Sequence, residues 1–136
     1  MQLVLTEAQR QLLSKEALRA SPNESCALLF GKKENNKMVI KEVFLAKNIE
    51  ESPVNFTISN EQLIHGYKES EEKGLDVIGI FHSHPNSEPY PSTTDKKFME
   101  INPVAWVIFS DISKVFKAYM YESYIIEIPI ITEVFS

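Results

Sequence analysis

The sequence has little cysteine, no excess of basic residues and no long apolar run, and each shortage excludes a class of protein. One cysteine in 136 residues excludes an internal disulfide framework and favours a reducing compartment. A net charge of -5 disfavours a nucleic-acid partner, because phosphate binding needs a basic surface. No apolar stretch approaches the ~20 residues of a membrane helix, and the N-terminus lacks the pattern of a signal peptide. We therefore expect a cytoplasmic protein with neither a nucleic-acid nor a membrane partner.

The length and composition are those of one folded domain. A chain of 136 residues is close to the commonest domain size. Hydrophobic residues make up 43% and charged residues 24%, both ordinary for a chain that buries a core. We find no internal repeat, low-complexity tract or linker, so residues 1–136 are expected to form a single domain.

Hydrophobic spacing and cap residues predict a mixture of strands and helices. Strands are expected at residues 1–5, 24–31, 38–46, 75–81, 104–109, 115–121 and 124–131. Helices are expected after the N-cap candidates Thr6 and Ser59 and at 96–101, with a short extended piece at 56–58. Because these elements do not alternate as regular βαβ units, the pattern favours a mixed sheet flanked by helices.

Two apolar segments carry further expectations. The helix after Ser59 has an apolar stripe formed by Leu63, Ile64 and Tyr67. The apolar C-terminal stretch, residues 124–135, is expected to pack as a final strand. The edge of a homodimer is the alternative for that stretch.

The residues with metal-binding chemistry lie in one segment, HSHPNSEPYPSTTD. His82 and His84 are two residues apart at the end of an apolar strand, so their side chains project from the same face. Asp95 follows a turn-rich loop that is long enough to fold back, and its carboxylate is a candidate third ligand. Three nitrogen and oxygen ligands leave a fourth position for water, the pattern of a catalytic zinc site.

A hydrolytic metal site also needs a group that moves protons and a donor for the oxyanion. Glu24 opens a buried strand just after a helix end, and its carboxylate is our candidate general acid and base. Ser92 is our candidate donor of a hydrogen bond to the developing negative oxygen.

Each of these residues also has a simpler interpretation. An isolated H-x-H pattern is weak evidence for a metal. Ser92 and Asp95 have the spacing of a helix cap, which is compatible with a functional role because a capped helix holds the carboxylate rigid. Taken by itself, a glutamate beside a turn, such as Glu24, is typically exposed to solvent. Cys26 is expected to be a buried inert thiol, and His65 to be structural or exposed.

The combination is more specific than its parts. The string His82-x-His84-x7-Ser92-x2-Asp95, with Glu24 upstream in a strand, resembles the JAMM (MPN+) metalloprotease family. A proline directly after the second histidine and another before the serine match the family pattern as well. The order of elements agrees from about residue 5 to residue 121. The chain is most similar to the minimal, prokaryotic-type members.

The resemblance implies a fold, a cofactor and an activity. It implies an α+β fold, with a mixed, curved β-sheet flanked by helices in a cytidine-deaminase-like JAMM/MPN core. It implies one Zn2+ per chain bound by His82, His84 and Asp95, with Glu24 as acid and base and Ser92 stabilising the tetrahedral intermediate. The implied partner is a ubiquitin-like small modifier or a sulfur-carrier protein, and its conjugates would be cleaved after the C-terminal Gly.

Two other functions stay open at this point. Some relatives keep the fold without the ligands and serve as catalytically inert protein-binding scaffolds, although all five positions are present here. The same site would also suit a metallohydrolase for small peptides. Two imidazoles and a carboxylate do not by themselves distinguish zinc from iron, nickel or cobalt.

Overall fold

A computed structural model describes residues 1–134, which contain eight strands and three helices. In chain order they are β1 (Gln2–Thr6), α1 (Glu7–Ala20), β2 (Cys26–Glu34), β3 (Lys37–Ala46), α2 (Asn60–Glu72), β4 (Asp76–His84), α3 (Thr93–Ile101), β5 (Ala105–Ser110), β6 (Phe116–Glu122), β7 (Tyr124–Ile128) and β8 (Ile130–Glu133). Within this range no helix combines the length and apolar character needed to span a membrane.

The strands form one mixed sheet in the order β7-β6-β5-β4-β2-β3-β1-β8. Strand β1 is parallel to both β3 and β8, and β4 is parallel to β5. The remaining neighbours are antiparallel. This arrangement confirms the expected α+β class with a mixed sheet.

The sheet curls until its two edges meet. Strands β7 and β8 stand at opposite ends of the strand order, yet Pro129 alone separates them in the chain. The Leu3 amide donates to the Pro129 carbonyl at 2.9 Å, which joins the β1 side to this junction. Proline lacks the N–H that a continuous ladder would use, so the break falls where the chain passes from one edge to the other. The expected C-terminal strand is therefore confirmed as two short strands, and Phe135 lies outside the described residues.

The two faces of the sheet bury different clusters. Phe81 of β4 packs with Leu13 and Ala17 of α1 in the larger core. The alternate residue, Ile80, packs in the clusters that contain Leu63 of α2 and Met99 of α3. Because alternate residues of a strand point to opposite faces, the helices flank the sheet on both sides. We refer to the second side as the α2/α3 face.

Helix α2 approaches the sheet through small residues, which the sequence analysis did not predict. Ile64 is 70% exposed and Tyr67 is 54% exposed, whereas Gly66 and Ser70 are buried. A Cβ atom on Gly66 would lie 2.6 Å from Leu28 Cδ1, so a larger residue would require the Leu28 side chain to shift. Of the three residues of the apolar stripe, Leu63 packs partly buried against the core, whereas Ile64 and Tyr67 face solvent.

The other differences are local. Residues 56–58 belong to a segment without strand or helix. Helix α3 begins at Thr93, three residues before the predicted start, because Ser92 caps it. The caps predicted at Thr6 and Ser59 are both present.

Gly31 provides a stability test of the sheet. A Cβ at this position would lie 2.0 Å from the Val39 carbonyl oxygen, a backbone atom that cannot move aside. We expect Gly31→Ala to lower the free energy of unfolding by at least about 2 kcal/mol, since overpacking typically costs 1–3 kcal/mol. Urea unfolding measures this effect. Lys33→Ala, an exposed position on the same strand, is the control and should change little; equal effects of the two would contradict the close packing.

Candidate metal centre

The two histidines of the HSHP segment end strand β4 on the α2/α3 face. His82 pairs with Cys26 across the β2–β4 ladder, and His84 is two residues further along the same face. Their exposed fractions are 0% and 4%, which is unusual for ionisable side chains without a structural reason. A short, buried strand end thus fixes both imidazoles in neighbouring positions.

Three ligand atoms from β4 and α3 form a nearly equilateral triangle. His82 Nε2 lies 3.1 Å from His84 Nε2 and 3.1 Å from Asp95 Oδ2, and His84 Nε2 lies 3.2 Å from the same oxygen. Tetrahedral bonds of about 2.0–2.1 Å would separate ligand atoms by about 3.3 Å. The triangle therefore has the dimensions of one face of a tetrahedral zinc site, and these residues fit such an ion.

Asp95 is placed by the cap of helix α3. The Ser92 hydroxyl oxygen accepts from the Asp95 amide at 3.0 Å, and the Ser92 amide donates to Asp95 Oδ2 at 2.9 Å. This reciprocal pair is a capping box, which satisfies two amides at the start of the helix. The simple interpretation of Ser92 and Asp95 as a cap is confirmed, and the cap directs the carboxylate at the histidines.

Contacts on the far side of each imidazole fix its orientation. His84 Nδ1 lies 2.9 Å from the Glu88 carbonyl, to which it donates, so its Nε2 carries the lone pair. The His82 ring stacks on Phe56 with centroids 4.8 Å apart and an interplanar angle of 23°. Among residues 1–134 no hydrogen-bond partner reaches His82 Nδ1. A hydrogen bond therefore orients His84, and an aromatic stack orients His82.

Strand pairing brings Glu24 beside His84, sixty residues later in the chain. The antiparallel register pairs Cys26 with His82, and the Ser83 amide donates to the Ser25 carbonyl at 3.1 Å. Extending this register places Glu24 opposite His84. The carboxylate is 4% exposed, and within the described chain its Oε1 atom has no hydrogen-bond partner.

Two buried serines reinforce this pairing and were not recognised in the sequence. The Ser25 amide donates to Ser83 Oγ at 2.8 Å, and the Ser25 hydroxyl contacts the same oxygen at 2.9 Å. Each serine adjoins a site residue, so their contact holds the Glu24 segment against β4. A serine between two histidines gave no such signal in the sequence, because its partner lies 58 residues away.

The electrostatics distinguish the carboxylates of the site. Burial raises the pKa of Glu24 to about 8, opposed by His84 and assisted by Asp95 and Glu50. Burial also acts to raise the pKa of Asp95, but hydrogen bonds from His82 and His84 outweigh it and hold that pKa well below its usual range. Asp95 is therefore a permanent anion, whereas Glu24 is able to gain and lose a proton near neutral pH.

The pKa values of the two histidines are shifted in opposite directions. Burial lowers the pKa of His82, which favours the neutral ring that metal binding requires. Burial also acts to lower the pKa of His84, but the hydrogen bonds to Asp95 and to the Glu88 carbonyl raise it overall.

The remaining candidates behave as the simple interpretations predicted. Cys26 is buried, and burial raises the pKa of its thiol to about 12, as expected for an inert core cysteine. His65 is exposed on α2. Sequence reasoning missed Asn48 and Phe56, both of which lie next to the site in the segment that connects β3 and α2.

Fold and site together define a JAB/MPN-type domain with a candidate metal centre. The chain matches the Prok-JAB family, the prokaryotic homologs of the JAB domain, over residues 6–124. Because the match covers most of the chain, the protein belongs to this family, and the resemblance to JAMM proteins is confirmed.

Two curated relatives have names that describe conjugate-processing proteins. The chain is 38% identical to a desampylase from Pyrococcus furiosus over 96 residues, which cover 71% of the chain and 66% of the relative. It is 31% identical to the "Probable TtuB-protein conjugate cleaving protease" of Thermus thermophilus over 81 residues, 59% of the chain and 51% of that relative. The chain thus spans between half and two thirds of the length of these relatives.

Solved structures show the same fold over nearly the whole chain. A protein from Desulfitobacterium hafniense has a TM-score of 0.86 at 27% identity, covering 98% of this chain and 93% of its own. A JAB1/MPN domain protein from Archaeoglobus fulgidus has a TM-score of 0.58 at 21% identity, covering 96% and 99%. The second comparison supports the fold alone.

The raised pKa of Glu24 predicts how the stability of the metal-free protein depends on pH. Between the ordinary pKa of 4.5 and about 8, folded Glu24 keeps a proton that the unfolded chain has lost. The free energy of unfolding should therefore fall as pH rises through this window. Glu24→Gln removes the titration, so the variant should gain stability relative to wild type from pH 5 to pH 8 in urea unfolding. Exposed Glu51→Gln is the control, and a pH-independent difference for Glu24→Gln would contradict the assignment.

Proposed function

We propose that the protein is a zinc-dependent isopeptidase that hydrolyses the isopeptide or peptide bond after the C-terminal Gly of a ubiquitin-like modifier or a sulfur-carrier protein. The observation that carries the proposal is the triangle of His82, His84 and Asp95 with the buried Glu24 carboxylate beside it. The names of the desampylase and of the conjugate-cleaving protease support the class of substrate.

In this proposal His82 Nε2, His84 Nε2 and Asp95 Oδ2 hold the cofactor, one zinc ion per chain. When bound, such an ion lowers the pKa of a water molecule to about 7 and polarises the carbonyl under attack. The capping box orients Asp95, and the Glu88 carbonyl fixes the tautomer of His84, so the ligands are ordered before the ion binds.

Glu24 is the proposed acid and base. Its carboxylate accepts a proton from the attacking water and delivers that proton to the leaving amine as the carbon–nitrogen bond breaks. In the metal-free protein, burial raises the pKa of this carboxyl, the direction that brings a carboxyl group closer to the working pH of a general acid and base.

Ser92 is the proposed oxyanion donor. Its hydroxyl oxygen accepts from the Asp95 amide at 3.0 Å, which leaves the hydroxyl proton to donate to the negative oxygen of the tetrahedral intermediate. Ser92 would therefore serve as helix cap and as hydrogen-bond donor at the same time.

Glu24→Gln separates chemistry from metal binding. We expect this variant to bind zinc at the wild-type stoichiometry and to lose cleavage, because the amide is unable to shuttle the proton. The assay is cleavage of an isopeptide-linked ubiquitin-like conjugate, with zinc content measured by elemental analysis. Wild-type cleavage by Glu24→Gln would refute the assigned mechanism.

His84→Ala removes a ligand instead. We expect this variant to lose zinc affinity and cleavage together, and we expect chelator-treated wild type to regain activity when zinc is added. His65→Ala, an exposed histidine on α2, is the matched control and should retain both. If purified wild type binds no zinc at neutral pH, the inert scaffold replaces the enzyme; if it cleaves small peptides but no conjugate, the peptide hydrolase does.

Three expectations remain predictions. They are the cytoplasmic location, the homodimer edge that was the alternative for the C-terminal stretch, and a single domain over residues 1–136. Fractionation of cells would test the first and dilution-dependent light scattering the second.

A further inference from the structure

We propose that Asn48 is a positioning residue that holds two parts of the site in place. These are the backbone of Glu24 and the Phe56 ring that stacks on His82. The inference rests on the function proposed for Glu24. It concerns the segment between β3 and α2, residues 47–59, which contains neither strand nor helix. The side chain of Asn48 lies inside this segment and is 8% exposed.

The Asn48 amide group is fully used. Its Nδ2 donates to the Glu24 carbonyl at 3.0 Å and to the Asn55 carbonyl at 3.0 Å. Its Oδ1 accepts from the Glu50 amide at 3.1 Å and from the Thr57 amide at 3.1 Å. A segment without regular structure must satisfy its buried backbone groups in some other way, and here a single side chain satisfies several of them.

The bond to Glu24 is the first consequence. The carbonyl of Glu24 accepts from Asn48, and the amide of Glu24 donates to the Ser52 carbonyl at 2.8 Å. The backbone of Glu24 is therefore held on both sides by the same segment. The carboxylate must stand within hydrogen-bond reach of the proton that it moves, so the segment decides whether Glu24 is correctly placed.

The position of Phe56 is the second consequence. Phe56 lies between Asn55 and Thr57, and both of these neighbours bond to Asn48 through their backbone groups. Its ring stacks on His82 with centroids 4.8 Å apart and lies 6.4 Å from Trp106. Loss of the Asn48 bonds would free this ring as well as Glu24.

The metal ligands belong to other elements, His82 and His84 to β4 and Asp95 to the cap of α3. The segment reaches them only through the Phe56 ring that stacks on His82. A positioning role therefore predicts a particular pattern, in which catalysis falls much more than metal binding. A general loss of structure would affect both.

The test compares Asn48→Ala and Asn48→Asp with wild type. The aspartate keeps the acceptor and loses both donated bonds, so it tests the link to Glu24 even if the alanine variant does not fold. We expect kcat on the isopeptide-linked conjugate to fall by about ten- to a hundredfold, because small misplacements of reacting groups have effects of this size. KM should change little, and zinc affinity, measured by competition with a chelator, should fall by much less than kcat.

Trp106 supplies a readout that needs neither substrate nor metal. It is the only tryptophan in the sequence, is 2% exposed and lies next to Phe56. Both Asn48 variants should shift its emission to longer wavelength and increase its quenching by acrylamide. Phe56→Leu should give the same signal with the Asn48 bonds intact.

The matched control is Gln62→Ala. Gln62 Oε1 accepts from the Lys47 amide at 2.9 Å, so it bonds to the same segment without touching Glu24. We expect this variant to keep the wild-type kcat and emission. Unchanged emission and kcat in the Asn48 variants, or a loss of zinc affinity equal to the loss of kcat, would overturn the proposal. A wild-type protein that cleaves no conjugate would refute the proposed function alone, because the fluorescence result still decides whether Asn48 holds the segment.

Discussion

The close approach of three ligand atoms is the constraint on which this structure depends. His82, His84 and Asp95 place their ligand atoms 3.1–3.2 Å apart in a buried site. At these distances the imidazoles are able to donate hydrogen bonds to the carboxylate or to bind one cation together with it. The surrounding contacts, from the capping box to the Glu88 carbonyl, hold the three groups in place.

The sheet topology brings Glu24 to the ligands of the HSHP segment and α3. The three proposed ligands lie within a stretch of fourteen residues, from His82 to Asp95. Glu24, the proposed acid and base, lies far earlier in the chain, just before β2. Antiparallel pairing of β2 with β4 brings Glu24 beside His84, and the hydrogen bonds between Ser25 and Ser83 hold the two segments together. Helix α1 packs on the opposite face of the sheet, so β4 is covered on both sides where it carries the site.

Features set by local chemistry were predictable from the sequence, and features set by distant partners were not. The spacing of His82 and His84, the cap at Ser92 and the mixed sheet follow from periodicity and cap residues, and the structure brings all of the proposed site residues together. The exposure of Ile64 and Tyr67 was not predictable, because α2 faces the sheet with the small residues Gly66 and Ser70, whose close contact depends on the partner strand. Asn48 was missed for a similar reason. Its role depends on hydrogen bonds to the carbonyls of Glu24 and Asn55, and the sequence does not show which carbonyls a loop asparagine contacts.

The shared oxygen of Asp95 has a thermodynamic consequence. Oδ2 accepts the Ser92 amide that begins α3 and is also the atom that faces both imidazoles. Anything bound at the imidazoles thus contacts the first turn of a helix only nine residues long. By reciprocal linkage, occupancy would disfavour the frayed state of that helix, and fraying would weaken binding. Amide hydrogen exchange in α3 would then report the ligand state of the centre, although the helix lies at its border.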